Sequence, residues 1–163
     1  MSEPMGFTVY LSGEIHTDWR QRIMEACNSG GLNIEFFEPV IDHQSSDDCG
    51  VVILGEENSS FWKDHKGAKL NAIRTRTMIE RADLVVVRFG EKYRQWNAAF
   101  DAGMATALGK SLITVHEPNL NHALKEVDAA ALAVCRTTEQ VVQTLKYVVC
   151  GELHSSKGRM AAE

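Results

Sequence analysis

Asp101 is the only charged residue in the stretch NAAFDAGMATAL. An ionised carboxylate among small apolar side chains is expensive to bury without donors, so its presence needs a reason. One reason is structural: an acid near a helix start is favoured by the helix dipole, and Asn97 could cap the same end. The other is chemical, with Asp101 facing a ligand crevice as a nucleophile or electrostatic stabiliser. A second cluster is Tyr10-Leu11-Ser12-Gly13. Alone, Tyr10 reads as a core aromatic; beside a buried acid, its hydroxyl can hold and polarise the carboxylate. Gly13 allows a ligand or another backbone to approach closely. Glu14 and His16 bracket Ile15, where either could donate a proton or bind a ribose hydroxyl, or simply be solvated. Arg74 and Arg76 are two apart on a helix and cannot share a face, so one is expected at the site and the other paired on the surface. Arg88 closes the run LVVVR, a place that suits a ligand or intersubunit contact. Trp96 could stack on a base or pack at a subunit interface, and Asn97 closes the same loop.

Other chemistries find less support. Asp42, His43, Asp47, Asp48, Asp64 and His65 lack any metal-ligand spacing such as His-Glu-x-x-His, and they read as a solvated acidic segment without a metal. No Gly-x-Gly-x-x-Gly follows the first apolar run, and Gly109-Lys110-Ser111 opens a strand, the wrong context for a phosphate loop. No dinucleotide, nucleoside-triphosphate or other cofactor is therefore expected.

The elements that must position these residues alternate. Residues 7–12, 32–37, 84–89, 111–116 and 131–136 read as strands, being short, apolar and bounded by Gly, Pro or polar residues. Residues 17–28, 67–81, 97–108, 119–127 and 138–150 read as helices, with Gly30-Gly31 and Gly109 as stops. Residues 39–66 read as a long polar connection containing one apolar island, 51–54. This βα alternation implies an α/β fold of three layers: a doubly wound, five-stranded parallel sheet in the flavodoxin-like order. Ligands of such sheets bind outside the carboxyl ends of the strands, where strand order reverses. That edge carries residues 12–17, the loop after Phe37, residues 88–97 and the turn after His116.

The 163 residues, 44% of them apolar, suffice for one domain, expected over 1–154 with a flexible tail over 155–163. No run approaches the roughly 20 apolar residues of a membrane span, and the first seven residues have no signal-peptide character. A cytoplasmic protein with no membrane partner is expected. The 17 Lys and Arg against 22 Asp and Glu leave a formal charge of -5, which disfavours a polymeric nucleic acid as partner. The four cysteines are widely spaced, and reduced, mostly buried thiols are expected.

Three stretches taken together carry a resemblance: VYLSGEIHTDWR, MIERADLVVVRF and WNAAFDAGMATALGKSLITVH. In this order they resemble the nucleoside 2-deoxyribosyltransferases, and most closely their YtoQ-like branch. The stretches correspond to that family's first-strand tyrosine and glycine, its Ala-Asp before a central strand, and its Glu-x-Gly-x-Ala helix with a following Gly-Lys turn. The alignable part runs over residues 7–116.

The resemblance implies chemistry at the glycosidic bond of a nucleoside or nucleotide. The helix acid, here Asp101, would attack the anomeric carbon, and Tyr10 would orient it, by the logic of retaining glycosidases. Gly13, Glu14, His16, Arg74, Arg76, Arg88, Trp96 and Asn97 would contact the substrate. The chain departs from the family in carrying Asp where the family has Glu, one methylene longer. It has Thr75 where the family places a base-contacting acid, and Glu14 where phosphate-handling relatives place Ser. The expected function is nucleoside (deoxy)ribosyl transfer or N-glycoside hydrolysis in a homo-oligomer. A non-catalytic nucleotide or nucleotide-sugar binding module is the alternative.

Overall fold

The computed structural model describes residues 6–153, so residues 1–5 and the final ten, which include the expected tail, lie outside the described residues. Apolar runs of three to seven residues form the strands β1 (Phe7–Gly13), β2 (Ile34–Phe37), β3 (Leu84–Arg88), β4 (Ser111–Val115) and β5 (Ala133–Cys135). All pair in parallel in the order β2-β1-β3-β4-β5. This is the flavodoxin-like order that the alternation of elements predicts.

Because side chains alternate along a strand, β1 divides its residues between the two faces of the sheet. Val9 and Leu11 pack with Trp19, Ile23 and Cys27 of α1 (Trp19–Ser29) and with Val141 and Leu145 of α6 (Thr138–Cys150). Tyr10 turns to the other face, among Ile79 of α3 (Ser60–Arg81) and Ala98, Ala102 and Ala105 of α4 (Trp96–Ala107). The small residues of α4 bring its backbone close to the sheet and so carry Asp101 toward β1.

Residues 39–66 differ from expectation. They form α2 (His43–Leu54) and the first turns of α3, which starts at Ser60 rather than at residue 67. Asp42 caps α2 by accepting a hydrogen bond from the Ser45 amide at 2.8 Å. Glycines at 50 and 67 are where α2 and α3 touch. A Cβ on Gly50 would lie 2.5 Å from the Gly67 nitrogen. Asn71 on α3 donates to the Ser46 carbonyl at 2.9 Å, and Lys63 pairs with Asp48 at 2.8 Å. Only Gly50 and Val51 of α2 are buried, so the apolar island mostly faces outward, with Val52, Ile53 and Leu54 exposed.

This crossing supports an expectation about stability. Alanine at position 50 would gain about 1 kcal/mol of helix propensity. The clash is with backbone, which cannot swing aside, so overpacking should dominate and Gly50→Ala should lose about 1–3 kcal/mol. A urea-unfolding midpoint equal to or above that of the wild type would show that the helices can separate freely.

Smaller shifts occur near the carboxyl end. The helix expected over 119–127 is a 3-10 turn, Pro118–Leu120, followed by α5 (Lys125–Ala130). His116 points inward and is buried, its Nε2 2.8 Å from Asp128 on α5. Thr114 also donates to Asp128, so the pair ties α5 to β4. Of the cysteines, Cys27 and Cys135 are buried, Cys49 is half-buried and Cys150 is exposed; all are free thiols. No described helix is long and apolar enough to cross a membrane. Among the described residues no group of three or more His, Cys, Asp or Glu could hold a metal ion.

Candidate functional site

A cavity of about 610 Å³ opens at the carboxyl end of β1, walled by the β1–α1 loop, α2, α3 and the start of α4. Seven of the residues singled out from sequence line it: Tyr10, Gly13, Glu14, His16, Arg74, Asn97 and Asp101. Segment 39–66 completes it, since α2 contributes Ser46 and Asp47 and the amino-terminal half of α3 contributes Asp64.

Asp101 sits in the second turn of α4 and is half-buried. Ser12 Oγ donates to its Oδ2 at 2.6 Å. Among the described residues no hydrogen bond engages Oδ1. Burial raises the carboxyl's pKa, an effect partly offset by the Ser12 bond. The expected cap role of Asn97 is not seen: Asn97 lies within the first turn of α4, whose Gln95 cap makes no side-chain hydrogen bond. The dipole of the helix start is thus a poor account of Asp101.

Tyr10 does not take the orienting position. Its ring is fully buried and its hydroxyl meets no hydrogen-bond partner. Thr75 lies near enough to favour the phenolate slightly, without the geometry of a hydrogen bond. Burial, followed by the charge of Asp101, pushes the phenol up to about 12, so it holds its proton at neutral pH. The group that holds Asp101 is Ser12. Alternation supplies the signal that could have found it: positions 10 and 12 share one face of β1, and a serine hydroxyl there can reach a short acid.

Glu14 is 5% exposed and is taken up by its own loop. Its carboxylate accepts from the His16 amide at 2.7 Å, from the Thr17 amide and hydroxyl, and from Arg88 Nε at 3.1 Å. Burial alone would raise its pKa, but the donors from Thr17, His16 and Arg88 outweigh it and the net shift is downward. Glu14 therefore fastens the loop, and Arg88 answers its charge from behind, away from the cavity. Arg20 was missed by sequence reasoning. Buried on α1, it donates to the carbonyls of Leu11, Gly13 and Glu14 at 2.8–3.0 Å, fixing the bend after β1. Nothing in a single arginine of an amphipathic helix signals that role.

Of the helix arginines, Arg74 lines the cavity and donates to the Glu38 carbonyl at 3.3 Å. Arg76 lies outside the cavity lining, paired with Glu80 at 2.8 Å on the surface. Trp96 is also outside it, 70% exposed, with the Arg94 guanidinium 5.9 Å from its ring centroid. The His16 ring packs against Tyr93 at 4.9 Å.

A family profile described as "Nucleoside 2-deoxyribosyltransferase YtoQ" matches residues 10–149, from the cavity tyrosine to the last helix. The chain belongs to this family. It is 42% identical over 144 residues to a Bacillus subtilis (strain 168) protein named "Uncharacterized protein YtoQ", covering 88% of this chain and 97% of that one. A solved 2-deoxyribosyltransferase from Bacillus psychrosaccharolyticus superposes with a TM-score of 0.52 at 17% identity, covering 85% of this chain and 95% of the other. At that identity the likeness is one of fold. This chain thus shares the architecture of a 2-deoxyribosyltransferase.

Given that arrangement, Ser12→Ala should act through Asp101. The serine bond favours the ionised carboxylate, so losing it should raise the Asp101 pKa further. The acid limb of a kcat/KM profile should shift to higher pH, while the rate at alkaline pH falls by about tenfold or less. An unmoved acid limb would sever Ser12 from the titrating group.

Proposed function

We propose that this protein cleaves or exchanges the N-glycosidic bond of a nucleoside or nucleotide, with Asp101 as the nucleophile. The observation that carries this reading is a carboxylate on the cavity wall with one oxygen held by Ser12 and the other unengaged. In the first step Oδ1 of Asp101 bonds to the anomeric carbon as the carbon–nitrogen bond breaks. The electron pair leaves with the base, which gains a proton. In the second step water or the nitrogen of another base displaces the carboxylate, returning the anomeric centre to its starting configuration.

The remaining residues take supporting roles. Arg74 and Asn97, which line the cavity, would contact the sugar or base, and Gly13 would leave room for the ligand beside β1. Thr75 carries no acidic proton, which favours base release assisted by solvent. It also keeps open a binding-only role for the same pocket. Exposed Trp62, Trp96 and Phe100 suit a homo-oligomer, whose mass in solution analytical ultracentrifugation would give.

The test is chromatographic detection of free base from a panel of nucleosides and nucleoside monophosphates, alone and with a second base as acceptor. Release or exchange is expected for at least one member. Ligand-induced thermal stabilisation without turnover would leave the binding-only role, and neither would overturn both.

A further inference from the structure

Resting on the reading of Asp101 as nucleophile, the geometry points to a sugar that carries a hydroxyl on the carbon next to the anomeric centre, with Tyr10 as its donor. The site would therefore take ribosyl rather than 2-deoxyribosyl substrates.

The starting point is an unmade hydrogen bond. Tyr10 Oη lies in a fully buried side chain that lines the cavity, and it has no partner. A buried donor without an acceptor is unfavourable and is seldom left so in a folded protein. Orienting the nucleophile would have been a use for it, but Ser12 already makes that bond. Its proton is held at neutral pH, so it remains a donor seeking an acceptor.

Stereochemistry supplies that acceptor. In-line displacement of a β-linked base brings the nucleophile to the opposite face of the sugar. In a ribonucleoside the 2-hydroxyl lies on that same face, one carbon from the carbon under attack. Tyr10 and Ser12 project from one face of β1 toward α4, so phenol and carboxylate occupy that side together. A hydroxyl placed there can accept from Tyr10 Oη and donate to Asp101. The aspartate side chain, with a single methylene, leaves room between carboxylate and sugar for such a group. A 2-deoxy sugar has no oxygen at that point and leaves the phenol unsatisfied. A site built around such a bond discriminates strongly against the analogue lacking it.

The experiment compares uridine with 2′-deoxyuridine and adenosine with 2′-deoxyadenosine, reading kcat/KM, or Kd where turnover is absent. The wild type should prefer the ribo partner of each pair by about 10- to 100-fold. The 2′-fluoro analogues, similar in size but poor acceptors, should bind like the deoxy compounds when read as Kd, since fluorine also slows the bond breaking itself, and this arm needs no variant. Tyr10→Phe should lower the ribo values alone and collapse the preference, whereas Ser12→Ala should lower ribo and deoxy values by the same factor. If nucleosides bind or react but the wild type favours neither sugar, or favours the deoxy one, the hydroxyl assignment falls and the nucleoside reading stands. Equal losses on both sugars in Tyr10→Phe likewise overturn the assignment. If no nucleoside of either series binds, the nucleoside reading itself falls.

Discussion

Asp101→Asn should abolish base release while making the folded protein more stable at neutral pH. The rate effect follows from removing the nucleophile, and losses of about 10⁴-fold or more are typical of that change. The amide is nearly isosteric and its oxygen can still accept from Ser12, so the cavity should keep its shape and its ligand. Stability moves the other way because burial raises the carboxyl's pKa in the folded state. A carboxyl raised on folding contributes stability that is full below its unfolded value, about 3.9, and is lost as pH rises through the folded value. At pH 7 the ionised Asp101 therefore works against folding, and asparagine removes that burden. The melting temperature of the variant should exceed that of the wild type at pH 7, and the gap should shrink as the pH falls toward 4. A retained rate would remove Asp101 from the chemistry. A gap that widens in acid would show instead that the carboxylate is better stabilised folded than unfolded.

The same balance explains which parts of the molecule could be read from its sequence. The five strands and their order follow from short apolar runs separated by helices, because a parallel sheet buried on both faces admits few alternatives. Asp101 stood out because its helix is otherwise apolar. Segment 39–66 did not, since the signal that makes α2 a helix is tertiary. Gly50 and Gly67 meet where the two helices cross, a contact that no local pattern announces, and most of the apolar residues of α2 face outward. Ser12 was overlooked because a serine beside a glycine is ordinary turn chemistry. Only the partner 89 positions away, at 2.6 Å, makes it part of the site. Residue type suggests a ligand at Trp96 as well, but its place on α4 leaves it outside the cavity lining, and of the two helix arginines Arg74 lines the cavity while Arg76 is the one paired on the surface.

Glu14 shows how the loop and the site depend on each other. Four donors converge on its carboxylate, and Arg20 gathers three carbonyls of the same bend. This loop carries His16 to the cavity and ends the strand that carries Tyr10 and Ser12. One backbone position holds both networks at once.

That position is Gly13, and Gly13→Ala should have the largest effect on stability of any single methyl added to the described chain. Gly13 has φ +119, a conformation that side-chain-bearing residues rarely adopt. A Cβ there would lie 2.0 Å from the Arg88 carbonyl oxygen and 2.7 Å from its nitrogen. Both are backbone atoms of the central strand, so neither can rotate away. Relief would require β1 to part from β3 where Glu14 donates to the Arg88 carbonyl at 3.1 Å, and where Arg20 holds the Gly13 carbonyl at 3.0 Å. The expected loss is about 3 kcal/mol or more. Gly31 separates the two contributions, since it also has positive φ, +70, but nothing within 4 Å of its added Cβ. Gly31→Ala should lose only the conformational part, about 1 kcal/mol. Urea unfolding of the two variants beside the wild type measures the difference. Equal losses would mean that β1 and β3 can yield at the site. A much larger loss at position 13, with ligand binding weakened in whatever remains folded, would place the cavity's floor on that one contact between strands.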